Sequence, residues 1–155
     1  MDINTIQNPY LSFAKDVEQT GAITVMPAAG SAYMNRTNIR PGMSETIINV
    51  FAQNGFSVWG GKWNTSIDWH HFQTSRPMAQ LLAVMSYNDG CVLFKLYTKT
   101  PQMLNAIDSN NNQFVGLYEK NPGKFMQCLQ KLPEILKLTP EQAYSALATC
   151  VAQGK

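Results

Sequence analysis

Hydrophobic positions recur three and four residues apart through the last third of the chain, while strict alternation is confined to short runs before it. Thr100-Pro101 opens one helical segment, and Pro122 opens another with Phe125, Cys128, Leu129 and Leu132 on one face and Pro133 as its stop. Thr139-Pro140-Glu141-Gln142 supplies an N-cap, a proline at the first position and a glutamine at the third. Tyr144, Leu147, Ala148 and Val151 then follow at helical spacing, and Gly154 ends the run.

The first two thirds are punctuated differently. Asn8-Pro9 marks a turn or the start of a short helix, and residues 21–42, rich in Gly, Ala, Pro and Asn, read mostly as loop. Ser44 reads as the N-cap of a helix with Ile47, Ile48 and Phe51 on its apolar face and Gly55 at its end. Phe56-Ser57-Val58-Trp59 predicts a short strand broken by Gly60-Gly61, and His71-Phe72-Gln73 predicts a second. Ser75 caps a helix with Pro77 in its first turn, running to about Tyr87 and ended by Asn88-Asp89-Gly90. Cys91 to Tyr97 reads as a further strand or extended segment.

Composition narrows the class. At 155 residues the chain suits one compact domain better than two. Only 14% of residues are charged, against roughly a quarter in an average soluble domain, so surface polarity falls to Asn, Gln, Ser and Thr. A net charge of +2 without a Lys/Arg run leaves no electrostatic footprint for nucleic acid or an anionic membrane. No apolar stretch approaches a membrane span, and the longest, around Met78 to Met85, reads as a buried helix. No secretory signal is visible at the start. Cys91, Cys128 and Cys150 are far apart and form no CxxC pair, which predicts three buried thiols.

Candidate chemistry gathers in one place. The two histidines, His70 and His71, are adjacent, with Asp68 and Trp69 just before them. On an extended strand His70 and His71 point to opposite faces, so they do not share a pocket. Asp68 and His71 meet at one site only if the chain turns between them. Trp59, Trp63 and Trp69 and the Gly60-Gly61 pair crowd the same region, as either a pocket wall or plain core.

The run F-x-x-x-G-F-x-V-W-G-G-x-W-x-x-x-x-D-x-x-H-F-Q, from Phe51 to Gln73, resembles the second motif of the zinc D-alanyl-D-alanine carboxypeptidases. That family includes VanY-like carboxypeptidases and phage L-alanyl-D-glutamate peptidases. The resemblance implies that Asp68 is the general base and His71 a zinc ligand. The opening Asp2-Ile3-Asn4, followed by Asn8-Pro9, resembles the tail of the family's first motif and implies that Asp2 is a second zinc ligand. Trp59, Trp63, Trp69 and His70 are then candidates to line the substrate cleft. Lys62, Arg36 and Arg40 are candidates to meet a substrate carboxylate, although exposed basic residues are usually only solvated.

The sequence departs from the pattern at the first motif's histidine, which belongs seven positions before Asp2. The expectation is therefore a chain truncated inside its own zinc motif, binding zinc weakly and nearly inactive. The resemblance implies an α+β domain, a small antiparallel sheet flanked by helices. Residues 1–90 form the metallopeptidase-like core, and 91–155 a mostly helical extension packed on the same domain. It further implies zinc as cofactor, peptidoglycan stem peptides as substrate and a periplasmic or extracellular location. A core face left uncovered favours a homodimer. Two other readings stay open: a non-catalytic peptidoglycan- or protein-binding remnant, and an interaction module built on the C-terminal helices.

Overall fold

A computed structural model of the protein describes residues 1–13, 22–109, 112–131 and 138–153. Leu132, Pro133 and Gly154, which the sequence offers as helix face and stops, lie outside the described residues. The architecture is α+β, and the chain divides into two compact units, Met1–Gln73 and Thr74–Lys155.

The first unit holds the strands. β1 (Tyr10–Phe13) lies between β2 (Ile23–Met26) and β4 (Ser66–Asp68), antiparallel to both. Tyr10 pairs with Met26 on one side and Asp68 on the other, so the middle strand fixes where Asp68 ends its own strand. β3 (Val58–Trp59) and β5 (Phe72–Gln73) form a separate antiparallel ribbon, pairing Trp59 with Phe72. The short helix α1 (Ile48–Gln53) covers the ribbon, with Phe51 stacked on the fully buried Phe72 at 4.1 Å between ring centroids. Burying a phenylalanine of this kind contributes roughly 1.5–3 kcal/mol.

Readings of this unit gain detail or change. Residues 21–42 contain, besides loop, two short elements: Ile-Thr-Val-Met, β-branched and apolar, forms β2, and Ala28–Tyr33 forms a 3-10 helix. Asn8-Pro9 does mark a turn: Asn8 N–H donates to the Asn4 carbonyl at 3.1 Å to close the turn over Thr5–Gln7, and Pro9 leads into β1. Ser44 does not cap α1. Ser44–Thr46 makes a 3-10 turn first, and Ser44 is fully buried with its N–H donated to Asn8 Oδ1 at 2.7 Å. Gly55 does end the helix, at a φ of 88° that a side chain rarely adopts.

The second unit is helical throughout its described residues: α2 (Arg76–Val84), α3 (Tyr87–Lys99), α4 (Pro101–Ser109), α5 (Gln113–Lys120), α6 (Pro122–Gln130) and α7 (Pro140–Ala152). Ser75 caps α2 by accepting from the Met78 N–H. Thr139 and Gln142 complete the capping box of α7. Met78, Leu81, Leu93, Tyr97, Phe114, Phe125 and Leu147 meet in the core.

Two expectations are overturned here. Cys91 to Tyr97 is not a strand, and Asn88-Asp89-Gly90 ends no helix. Ser86 caps a new helix by accepting from the Asp89 N–H, Gly90 is buried close to Leu82, and Leu93 and Tyr97, four apart, face the core. The three cysteines are not all thiols either. Packing of α6 on α7 joins Cys128 to Cys150 in a disulfide across 22 residues of sequence, and Cys91 remains free. No helix among the described residues is long and apolar enough to cross a membrane.

Candidate active site

The site is built where β4 hands over to β5. The chain turns through Trp69 and His70, closed by the His71 N–H on the Asp68 carbonyl at 3.3 Å. This is the turn that the D-x-x-H spacing requires. The N-terminal residues lie alongside as an extra rung. Ile3 N–H donates to His70 O, Phe72 N–H to Met1 O, and the terminal ammonium to Phe72 O at 2.8 Å. Asp2 and His71 thus stand opposite each other in an isolated antiparallel bridge.

Their side chains meet. Asp2 Oδ1 lies 2.8 Å from His71 Nδ1, although the two residues are 69 apart in sequence. The hydrogen bond with His71 holds the Asp2 carboxyl below its ordinary value, against a smaller opposing effect of burial. The other imidazole nitrogen, Nε2, is 2.9 Å from Gln73 Oε1. Trp63 sits beside the same ring at 5.3 Å between centroids.

His70 lies in the turn, and its ring meets different partners from that of His71. Its Nδ1 is 2.9 Å from the Asn8 carbonyl and 3.0 Å from Asp68 Oδ1. Hydrogen-bond direction favours the Asn8 carbonyl, and Asp68 Oδ1, a buried oxygen, has no hydrogen-bond partner among the described residues. Trp69 is buried, stacked against the Arg36 guanidinium at 4.6 Å, and its carbonyl accepts from Trp59 Nε1–H. Arg36 is not an exposed cation awaiting a substrate. It pairs in a fork with Glu45 and donates to Gln7 O and Asn8 Oδ1, which commits all its donors internally.

The Gly60-Gly61 pair has a steric reason. A Cβ on Gly60 would stand 2.6 Å from the Asp68 carbonyl oxygen and 2.9 Å from Asp68 Cβ, and one on Gly61 would strike the Trp59 ring at 2.3 Å. Gly60 N–H also donates to His71 O at 2.9 Å, so this one residue is packed on Asp68 and bonded to His71.

A catalytic zinc takes three protein donors and keeps a fourth position for water. Asp2 and His71 converge as two suitable donors, carboxylate and imidazole. Among the described residues no group of three His, Cys, Asp or Glu side chains converges. Among the described residues the donor set is therefore one short of a catalytic zinc centre.

Residues 1–74 match the family model described as D-alanyl-D-alanine carboxypeptidase. The match spans the whole of the site just described and supports a peptidase of that type. No curated protein and no solved structure matches the chain. The sequence names Asn8, Arg36 and Gln73 but not the contacts they make here: Asn8 with His70, Arg36 with Gln7 and Asn8, and Gln73 with His71. Each carries a common polar side chain whose importance lies only in what the fold sets beside it.

Proposed function

We propose that residues 1–74 carry part of a zinc peptidase site that hydrolyses peptidoglycan stem peptides, of the D-alanyl-D-alanine carboxypeptidase type. The observation that carries this reading is the meeting of Asp2 with His71 at 2.8 Å, two residues joined only by the fold. In this reading Asp2 and His71 are the two ligands this chain supplies to a zinc ion, which when fully ligated acidifies a bound water and polarises a carbonyl. Asp68 is the base: its carboxylate takes a proton from water and returns it to the leaving amine. Trp63 lines the substrate cleft beside His71, with Trp59, Trp69 and His70 forming the wall behind it. With two such donors among the described residues, the chain binds zinc weakly and turns over slowly. The Cys128–Cys150 disulfide supports an oxidising location such as the periplasm or cell exterior.

The two-donor set equally favours a second reading, a peptide-binding domain without turnover. Zinc titration of the purified chain beside His71→Ala, followed by hydrolysis of a peptide ending in D-alanyl-D-alanine, separates the two. One tight zinc that His71→Ala abolishes, with hydrolysis, establishes the enzyme. Peptide binding without zinc or hydrolysis establishes the binder.

A further inference from the structure

Asn8 is fully buried, and every polar atom it carries has a partner. Its N–H and Nδ2 donate to the Asn4 carbonyl at 3.1 and 3.2 Å, and Nδ2 also to the Gly42 carbonyl at 2.9 Å. Oδ1 accepts from the Ser44 N–H at 2.7 Å and from Arg36 at 3.1 Å. The remaining atom is its own carbonyl oxygen, 2.9 Å from His70 Nδ1. A carbonyl can only accept, so the proton of this bond belongs to Nδ1. The carbonyl's direction is further restricted because Pro9 follows, which confines the preceding residue to extended conformations.

Asp68 Oδ1 competes for the same proton from 3.0 Å and does not receive it. On chemistry alone the carboxylate wins, since a charge-assisted bond is roughly twice as strong as one to a neutral carbonyl. Position reverses the order: the Asn8 carbonyl is fixed in line with the donor by five other hydrogen bonds on the same residue.

We infer that Asn8 is a positioning residue for Asp68. By holding the Nδ1–H of His70, it keeps that donor off the buried Asp68 Oδ1, so that the carboxylate, whose side chain is 13% exposed, takes its proton from water at its other oxygen without a hydrogen bond to His70. The inference rests on the reading of Asp68 as the base. It gives His70 a task distinct from metal binding: its ring fills the space beside the carboxylate while its only nearby donor is occupied elsewhere.

The test is NMR of the full chain labelled with 15N and 13C. The expected result is a His70 ring protonated at Nδ1, with a coupling across the hydrogen bond to the Asn8 carbonyl carbon. A coupling to the Asp68 carboxyl carbon, or a ring protonated at Nε2 alone, overturns the inference. Asn8→Asp keeps the acceptor for Ser44 and Arg36 but loses both Nδ2 bonds. The expected result is loss of the Asn8 coupling and a shift of the Asp68 carboxyl carbon as His70 turns to it; an unmoved Asp68 signal after loss of the coupling overturns the inference. The wild-type measurement stands by itself if that variant does not fold. Hydrolysis of a D-alanyl-D-alanine peptide is read separately. Hydrolysis by Asp68→Asn as fast as by the wild type refutes Asp68 as base, whereas wild-type hydrolysis without the coupling refutes the role of Asn8 alone.

Discussion

Gly60→Ala probes the contact on which the site is seated. The added methyl carbon would lie 2.6 Å from the Asp68 carbonyl oxygen, where ordinary contact begins near 3.4 Å, so backbone must retreat by about 0.8 Å. The obstacle is main chain, not the end of a flexible side chain, and Gly60 is itself tied to His71 by a 2.9 Å hydrogen bond. Overpacking of this kind costs about 1–3 kcal/mol. For a unit of this size each kcal/mol lowers the unfolding midpoint by roughly 4–8 °C. Trp59, Trp63 and Trp69 all lie in the first unit, so tryptophan fluorescence during heating reports that unit alone. The expected result is a midpoint lowered by at least about 4 °C, with a changed Trp69 environment before unfolding. Gly116→Ala, in the second unit and read by the helical CD transition, serves as the comparison of opposite sign. A Cβ there meets nothing within 4 Å inside helix α5, so removing glycine's conformational freedom stabilises by about 0.5–1 kcal/mol. A Gly60→Ala variant that melts within about 1 °C of the wild type refutes the seating of Asp68 on Gly60.

Other outcomes follow from single contacts. Reducing the Cys128–Cys150 disulfide, which spans 22 residues, should cost roughly 3 kcal/mol by loop-closure entropy, read as a fall of more than about 10 °C in the helical CD transition. Replacing Thr139 by Ala breaks the capping box of α7 and should cost about 0.5–2 kcal/mol in urea unfolding, while Thr139→Ser should retain most of it. Burial pushes the Asp108 carboxyl above its ordinary value of 3.8, opposed by hydrogen bonds donated by Ser75 and Tyr97. The native state therefore holds that proton more tightly than the unfolded chain. Its contribution is complete below pH 3.8 and is lost as pH rises through the folded-state value. Asp108→Asn should remove that slope, seen as a wild-type-minus-variant difference in unfolding free energy that falls with pH; a difference flat across the window contradicts it. Asp2→Ala should lower zinc affinity as far as His71→Ala does, measured by competition with a chelating dye, and an unchanged affinity would exclude Asp2 as a ligand.

What could be read from the chain was whatever depends on neighbours in sequence. The D-x-x-H spacing, Ser75 as a cap, the Thr139–Gln142 box and the Gly55 stop are all local, and each is present in the fold. The D-I-N opening signalled Asp2, but only the rung formed by residues 1–3 against 70–72 sets it beside His71. Local signals failed where packing decides. Gly90 reads as a breaker, yet its missing side chain is what lets α3 lie close to Leu82. Three β-branched residues and a methionine inside a Gly- and Pro-rich stretch became β2 because β1 offered an edge to pair with. Cys128 and Cys150 have no motif in common, and they meet because α6 and α7 pack together. Asn8 stood in the motif resemblance only as part of Asn-Pro, and its contacts could not be read there, since they are six hydrogen bonds to five residues between 4 and 70. Residue types and spacing determine which groups can do chemistry; which lone pair stays free and which proton is occupied depends on distances of a few tenths of an ångström that only the closed fold sets.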